Sequence, residues 1–495
     1  MSRQYLERLW QSSLVHILAL SLAVLIYYYG LWNAYFASTD DFGWIGSMRH
    51  RPFSEAIQGL GNGVRFLLYA MIWVKVRLYA LNSAPYFWSS LLQHAIVTII
   101  VYRLVELWTR RRPIAFLAAL LFATKFSYFE VVTGITTSFY SFWAIFYLMS
   151  LAFFSLYLER RALVWYLASV SVYIILTFAH DFALTMPLVL LAYHLTLGRA
   201  AWKPRSSGWS ELRLHIPFWI LWGLHVMINF IYVIQGTSET SYSAQGYGPG
   251  FHQIVNLFYL VFLLIPNVHA SQIHNLLISY VSSGMVEAIW LFSIGLAIMC
   301  HLLAVICFWK GSPLVRFGLA LIYLPFLPYT MWQGDFAGAF RYLYLPSIGF
   351  SMLLALLFTK LHDYLHRKER LRYSLVVPAL VTLLLVSNLV MIQTWVQRHI
   401  DNGKFRRAFV TQMAADFRDI EPGSWIYIEV PLEKFVDLQE ACRLIFQQPV
   451  NCNAFVSGER SLDEVTHGAY STQVYWLQAT PDGFNQVYPP ISVSP

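Results

Sequence analysis

Residues 9–39 read LWQSSLVHILALSLAVLIYYYGLWNAYFAST, a run with no Asp, Glu, Lys or Arg. A signal peptide carries an apolar region of only about 7–15 residues, whereas about 20 residues suffice to cross the roughly 30 Å of a bilayer's hydrocarbon core. The run therefore predicts a retained membrane anchor, and Arg3 and Arg8 ahead of it put the N-terminus on the cytoplasmic side.

The pattern recurs. With the first span at 13–35, further apolar stretches at 86–106, 114–130, 139–158, 162–179, 182–198, 214–234, 285–308, 317–333, 342–360 and 374–395 bring the expected spans to about 11. A chain that is 58% hydrophobic and 12% charged is not composed like an ordinary soluble protein. The net charge of +8 does not imply nucleic acid, because the basic residues sit in short clusters between apolar stretches. Arg110, Arg111 and Arg112, Arg160 and Arg161, Arg199 to Arg213, Lys310 with Arg316, and Lys360 to Arg372 all become cytoplasmic under the positive-inside rule. An odd number of spans then leaves the C-terminus outside. Phe251 to Ile265 is apolar but short, and counting it would move the last basic cluster to the wrong side, so it is expected to be re-entrant or interfacial.

From Gln397 the sequence turns mixed and polar. It predicts a helix over Phe405–Phe417, a strand over Trp425–Val430, a second helix over Leu432–Phe446 and strands near Asn453–Ser457 and Gln473–Ala479. The expected fold class is thus an all-α polytopic membrane domain (1–396) followed by a small α/β extracytoplasmic domain (397–495). Four cysteines are present, and no CxxC spacing marks a metal site. Cys442 and Cys452, if outside the cytoplasm, are open to oxidation, and a disulfide and two free thiols are both compatible with the sequence.

In this topology the acidic residues near the membrane fall mainly on the outer face: Asp40, Asp41, Glu130, Asp181, Glu239, Glu287 and Asp335. Adjacent carboxylates such as Asp40 and Asp41 repel, so one can serve as a base or both can share a cation; a solvated helix cap is the competing reading. Gly59-Leu-Gly61-Asn-Gly63 lacks both a preceding strand and a following Lys-Ser/Thr, and so reads as a turn rather than a nucleotide loop. Arg65 to Leu81, with Arg65, Lys75 and Arg77, suits the outer leaflet surface. Glu130 near Lys125, and Asp181 beside His180, are either functional ionisable groups or snorkelling helix ends, and His94 reads as a packed histidine. No GxSxG, HExxH, P-loop or CxxC element occurs, which removes the usual hydrolase, metalloprotease, ATPase and thiol-redox mechanisms.

Several segments taken in order resemble the GT-C superfamily of membrane glycosyltransferases, in particular the TMTC-like and bacterial branch that uses polyprenyl- or dolichyl-phosphate sugars. Asp40-Asp41-Phe-Gly-Trp-Ile45 is similar to that branch's acidic first-loop motif, and Arg65-Phe-Leu to its Arg-Pro-Leu element without the proline. Leu121-Phe-Ala-Thr-Lys-Phe-Ser-Tyr-Phe-Glu130 keeps the glutamate of a longer element but lacks its histidines and proline. His180-Asp181-Phe-Ala-Leu-Thr-Met-Pro187 resembles a Lys-Glu element with both ionisable residues changed. Arg341-Tyr-Leu-Tyr344-Leu-Pro346-Ser-Ile-Gly349 has nearly the family's form.

The resemblance implies inverting sugar transfer from a polyprenyl-phosphate donor to a glycan, lipid or protein acceptor, in a bacterial inner (plasma) membrane. Asp40 would be the base, with Asp41 beside it. Arg341, with Arg65 or His180, would stabilise the departing phosphate. Glu130 and Asp181 would orient the acceptor or, with Asp41, hold a divalent cation; Tyr344 would join the substrate-binding set. A transporter or flippase of a polar lipid-linked substrate is the alternative, although its usual internal repeats are not found in the sequence.

Overall fold

The computed structural model describes residues 12–36, 39–58, 65–198, 211–234, 250–264, 286–331, 340–367 and 375–417, and in the tail mainly the strands and scattered residues between them. The helices are α1 (Ser13–Tyr27), α2 (Thr39–Arg49), α3 (Phe53–Gln58), α4 (Phe66–Tyr79), α5 (Ser83–Thr109), α6 (Arg112–Ala123), α7 (Phe129–Thr133), α8 (Phe139–Arg160), α9 (Leu163–Thr177), α10 (Met186–Thr196), α11 (Ile216–Ile234), α12 (His252–Leu264), α13 (Val286–Lys310), α14 (Pro313–Thr330), α15 (Pro346–Arg367) and α16 (Val376–Asp416). Short 3₁₀ turns at Phe126–Tyr128, Asp181–Thr185 and Phe340–Leu343 interrupt them.

Among the described residues, six helices are long and apolar enough to cross a membrane, or seven if the bent pair Arg112–Ala123 and Phe126–Thr133 counts as one span. That is fewer than the 11 expected. The remaining expected spans coincide with shorter apolar helices, Ser13–Tyr27, Leu163–Thr177 and Asp181–Thr196, and with Gly295–Lys310, the fully described part of α13. The reason is local at the first of these, where Gly30 takes a left-handed φ of 85° just after the helix, a conformation glycine adopts without a Cβ clash. Large apolar side chains point away from the bundle, with Leu14, Leu163, Leu302 and Leu383 all more than half exposed. Such a coat is costly in water and expected against lipid, which makes the bundle compatible with a multi-pass membrane protein.

Lipid tails are as apolar as leucine, so helix association relies on close approach and interhelical hydrogen bonds. Ser150 on α8 and Ser169 on α9 exchange bonds, each hydroxyl donating to the other's carbonyl at 3.0 and 2.8 Å. On α15, a Cβ added at Gly349 would lie 2.4 Å from the Gly318 carbonyl of α14. Gly349→Ala is therefore expected to push the two helices apart and cost about 1–3 kcal/mol, read as a lowered thermal midpoint in detergent; an unchanged midpoint would show that the contact is slack.

The bundle has two chemically different ends. Arg110 pairs with Glu159, Arg112 with Glu106 and Arg161 with Glu211 at the end where α5 and α8 finish. Asp41, Glu130, Asp181 and Arg341 gather at the other. The segment expected to be re-entrant or interfacial forms α12, whose 13 described residues cover about 20 Å. Its first turns tie to the end of α14, through His252 Nε2 to the Met331 carbonyl at 3.0 Å and Asn256 Nδ2 to the Thr330 carbonyl at 2.9 Å.

The last helix corrects the expected break at Gln397. Val376–Asp416 is one helix of 41 residues, absorbing the separate helix expected over Phe405–Phe417. The joining sequence holds no proline, and Gln397 and Lys404 both bond Asp401 along it, a spacing that supports helix. Gly403 lets this helix graze the first loop, since a Cβ there would sit 2.7 Å from the Tyr35 backbone nitrogen.

Beyond it, β1 (Trp425–Val430), β2 (Asn451–Val456), β3 (Val474–Thr480) and β4 (Gly483–Ile491) form a sheet in the order β2-β1-β3-β4. The β1 strand is parallel to β2 and β3, and β3 is antiparallel to β4. Central β1 buries Ile426, Tyr427 and Ile428, that is, both of its faces, as parallel sheets require. Tyr475 meets Phe417 edge-on at 5.1 Å, docking the sheet on the end of α16. Cys442 is disulfide-bonded and Cys300 and Cys307 are free, so the oxidised alternative holds for the tail. Most of the helix expected over Leu432–Phe446 lies outside the described residues, as does the Gly59–Gly63 turn.

Candidate functional site

The connection from α9 to α10 turns at His180, which is fully extended (φ −158°, ψ 152°), and continues as the 3₁₀ turn of Asp181. This aims the Asp181 carboxylate at the start of α4, where Arg65 donates to it. His225 of α11 closes the third side, its Nε2 3.8 Å from Asp181 Oδ1 while Nδ1 donates 2.7 Å to the Thr177 carbonyl. His180 itself does not act as a cation here. Burial pushes its pKa down to about 3, its Nδ1 accepts from the Phe182 backbone at 3.2 Å, and its ring packs on Phe139, Tyr140 and Phe182.

Arg341 stands in the 3₁₀ turn ahead of α15. Its Nη1 lies 3.8 Å from Glu130 Oε1, a loose pair with both side chains about a third exposed (28% and 32%). The guanidinium sits 5.5 Å from the Tyr342 ring centre, and its buried Nε has no hydrogen-bond partner among the described residues. Tyr342 stacks on Tyr329 at 4.0 Å and meets Tyr140 edge-on at 6.0 Å. Tyr140 also feels the charges of Arg341, Arg65 and Asp181, so the two ion pairs share one aromatic partition.

The two first-loop aspartates differ in what can be said of them. Asp41 is fully buried, and its Oδ1 accepts from both the backbone N–H (2.9 Å) and the hydroxyl (3.0 Å) of Thr136. Thr137, next in that loop, donates to the Glu130 carbonyl at 2.6 Å, so the first loop and the glutamate segment are knit together. Asp40 lies in α2, but its side chain is outside the described residues, as are those of Glu239, Glu287 and Asp335.

No protein-family model matches the chain, and no curated protein matches it.

The site holds residues that sequence reading missed. His399 and Arg406 of α16 both lie within the field of Asp41; burial lowers the pKa of each, and Asp41 opposes that. Arg406 also donates 3.3 Å to the Phe36 carbonyl. The signal available was the unbroken helical register after Trp395. Lys75 is a second case. Expected along the lipid surface, it turns inward to the Ser138 hydroxyl at 3.4 Å, and burial pushes its pKa down to about 8. Arg65 likewise turns inward, whereas Arg77 stays exposed over Trp73.

Tyr344, expected in the substrate-binding set, is fully buried, with its hydroxyl bonded to His94. His94 Nε2 must donate to the Ala123 carbonyl (3.0 Å), leaving Nδ1 to accept from the Tyr344 hydroxyl at 2.8 Å. Both are core groups, as expected for His94. Among the described residues no three His, Cys, Asp or Glu side chains converge on a common metal position, and Asp41 is engaged with Thr136.

Proposed function

We propose that the protein is an inverting membrane glycosyltransferase, moving a sugar from a polyprenyl-phosphate donor to an acceptor at the end of the bundle that carries the charged cluster, on the outer face. One observation carries the reading: Arg65 with Asp181 and Arg341 with Glu130, remote in sequence, meet around Tyr140 and Tyr342. Two arginines beside the acidic first loop offer what the reaction needs. Asp40 takes the proton from the acceptor nucleophile, whose lone pair attacks the anomeric carbon. The bond from that carbon to phosphate oxygen breaks, and the lipid phosphate leaves with the electron pair. Arg341 receives the phosphate charge, since its pair with Glu130 is long enough to yield to a closer anion, and Arg65 lends its field.

Membranes supplied with a series of radiolabelled polyprenyl-phosphate sugars test this directly. The expected result is label leaving the lipid for an acceptor. Label that crosses the membrane while staying on its lipid would instead make the protein a flippase.

The outer-face assignment has its own test. With Cys300 and Cys307 replaced and the Cys442 disulfide kept, single cysteines at Lys368 and Tyr470 are exposed to a membrane-impermeant reagent in intact cells. Labelling at 470 but not at 368 is expected; the reverse pattern inverts the topology and moves the site to the cytoplasm.

A further inference from the structure

Lys125 sits at the 51° break between α6 and the Phe126–Tyr128 turn, with its side chain buried. Its ammonium donates 2.6 Å to the Leu264 carbonyl that ends α12 and lies 4.6 Å from the Phe350 ring centre. A lysine has three N–H donors, and Lys125 forms no ion pair among the described residues. A buried ammonium without an anion is expensive.

That ammonium lines a cavity of about 420 Å³ between α6, α15 and α16. Ser351 and Asn388 add polar groups to its lining, Asn388 accepting from the Phe126 backbone next to Lys125, while Phe358, Leu380 and Leu383 belong to its apolar wall. From Phe350 to Phe358 the wall runs about 12 Å along the helix. Leu380 and Leu383 are 44% and 67% exposed, so the cavity opens sideways onto the apolar coat of the bundle. One cationic end, an apolar barrel and a lateral mouth are the complement of an amphiphile.

We propose that this cavity binds an anionic phospholipid of the surrounding bilayer, its phosphate on Lys125 and one acyl chain lying between α15 and α16. The mouth faces the bilayer, where phospholipid is the contiguous solvent, and the short apolar barrel suits part of one acyl chain. The site rests on the membrane-spanning reading alone and stands whether or not sugar transfer is found.

Native mass spectrometry of the purified full chain in detergent tests it, with phosphatidylglycerol, phosphatidylcholine and diacylglycerol as probes. Phosphatidylglycerol is expected to be retained at least tenfold better than diacylglycerol, which lacks the phosphate. Lys125→Met should abolish that preference in protein that still folds, with at most a small fall in the thermal midpoint, because removing a costly buried charge offsets the Leu264 carbonyl left without its donor. Leu383→Trp, which narrows the mouth and leaves the ammonium, should reduce retention as well; if Lys125→Met does not fold, this variant decides. Undiminished phosphatidylglycerol binding by either folded variant, or equal binding of diacylglycerol, overturns the proposal. Displacement of phosphatidylglycerol by tenfold less polyprenyl phosphate overturns the phospholipid and gives the cavity to the sugar carrier.

Discussion

Asp40→Asn is expected to lower sugar transfer by about 10²–10⁴-fold with the thermal midpoint unchanged, the size of effect that removing a general base produces. The two neighbouring carboxylates can be separated by experiment because Asp41 is already committed. Its Oδ1 takes two hydrogen bonds from Thr136, and a carboxylate held that way is a brace for the first loop. Asp41→Ala would strand a buried backbone N–H, at a cost of about 1–3 kcal/mol, so its signature is a lowered midpoint along with any loss of rate. Transfer at near wild-type rate by Asp40→Asn would remove Asp40 from the mechanism. A variant of Asp41 that stays fully stable yet loses all turnover would exchange the two roles.

The second large effect is expected at Arg341. Arg341→Lys keeps the positive charge but loses the planar fork that grips two phosphate oxygens, and should lower kcat/KM by about 10–100-fold, or roughly 1.4–2.7 kcal/mol. An arginine that merely anchors the helix at the interface would tolerate lysine, since both residues snorkel. The geometry argues for the fork: Nε has no partner among the described residues, and Glu130 is 3.8 Å from Nη1, beyond a direct hydrogen bond. A donor titration of the folded, inserted variant is the measurement. Unchanged kinetics would leave Arg341 as an anchor and require another cation for the phosphate.

Both tests depend on residues whose types were visible in the sequence and whose partners were not. The apolar runs and basic clusters determined the helical bundle, because crossing a bilayer demands continuous apolar helix and positive charge marks its ends. The strand over Trp425–Val430 was legible too, as alternating aromatic and β-branched residues favour a pleated, half-buried surface. Span lengths were less so. The break at Gly30 is local, but those at Lys125 and His180 rest on contacts made elsewhere: Asn388 accepts from the Phe126 backbone at 2.9 Å, and the His180 ring packs on Phe139 and Tyr140.

What only the tertiary structure decided is which charges meet. Composition placed Arg65 and Lys75 near lipid phosphates, yet each finds a partner inside the bundle, because an arginine or lysine near membrane depth gains more from a protein acceptor than from remaining beside hydrocarbon. Tyr344 lies only three residues after Arg341 and still packs in the core, because it falls past the Phe340–Leu343 turn, where its hydroxyl meets His94 of α5. His399 and Arg406 reach the first loop only because α16 runs on without a break past Trp395. The sequence by itself determined a bundle of apolar helices compatible with a membrane; long-range packing alone determined which of its few charges share a site.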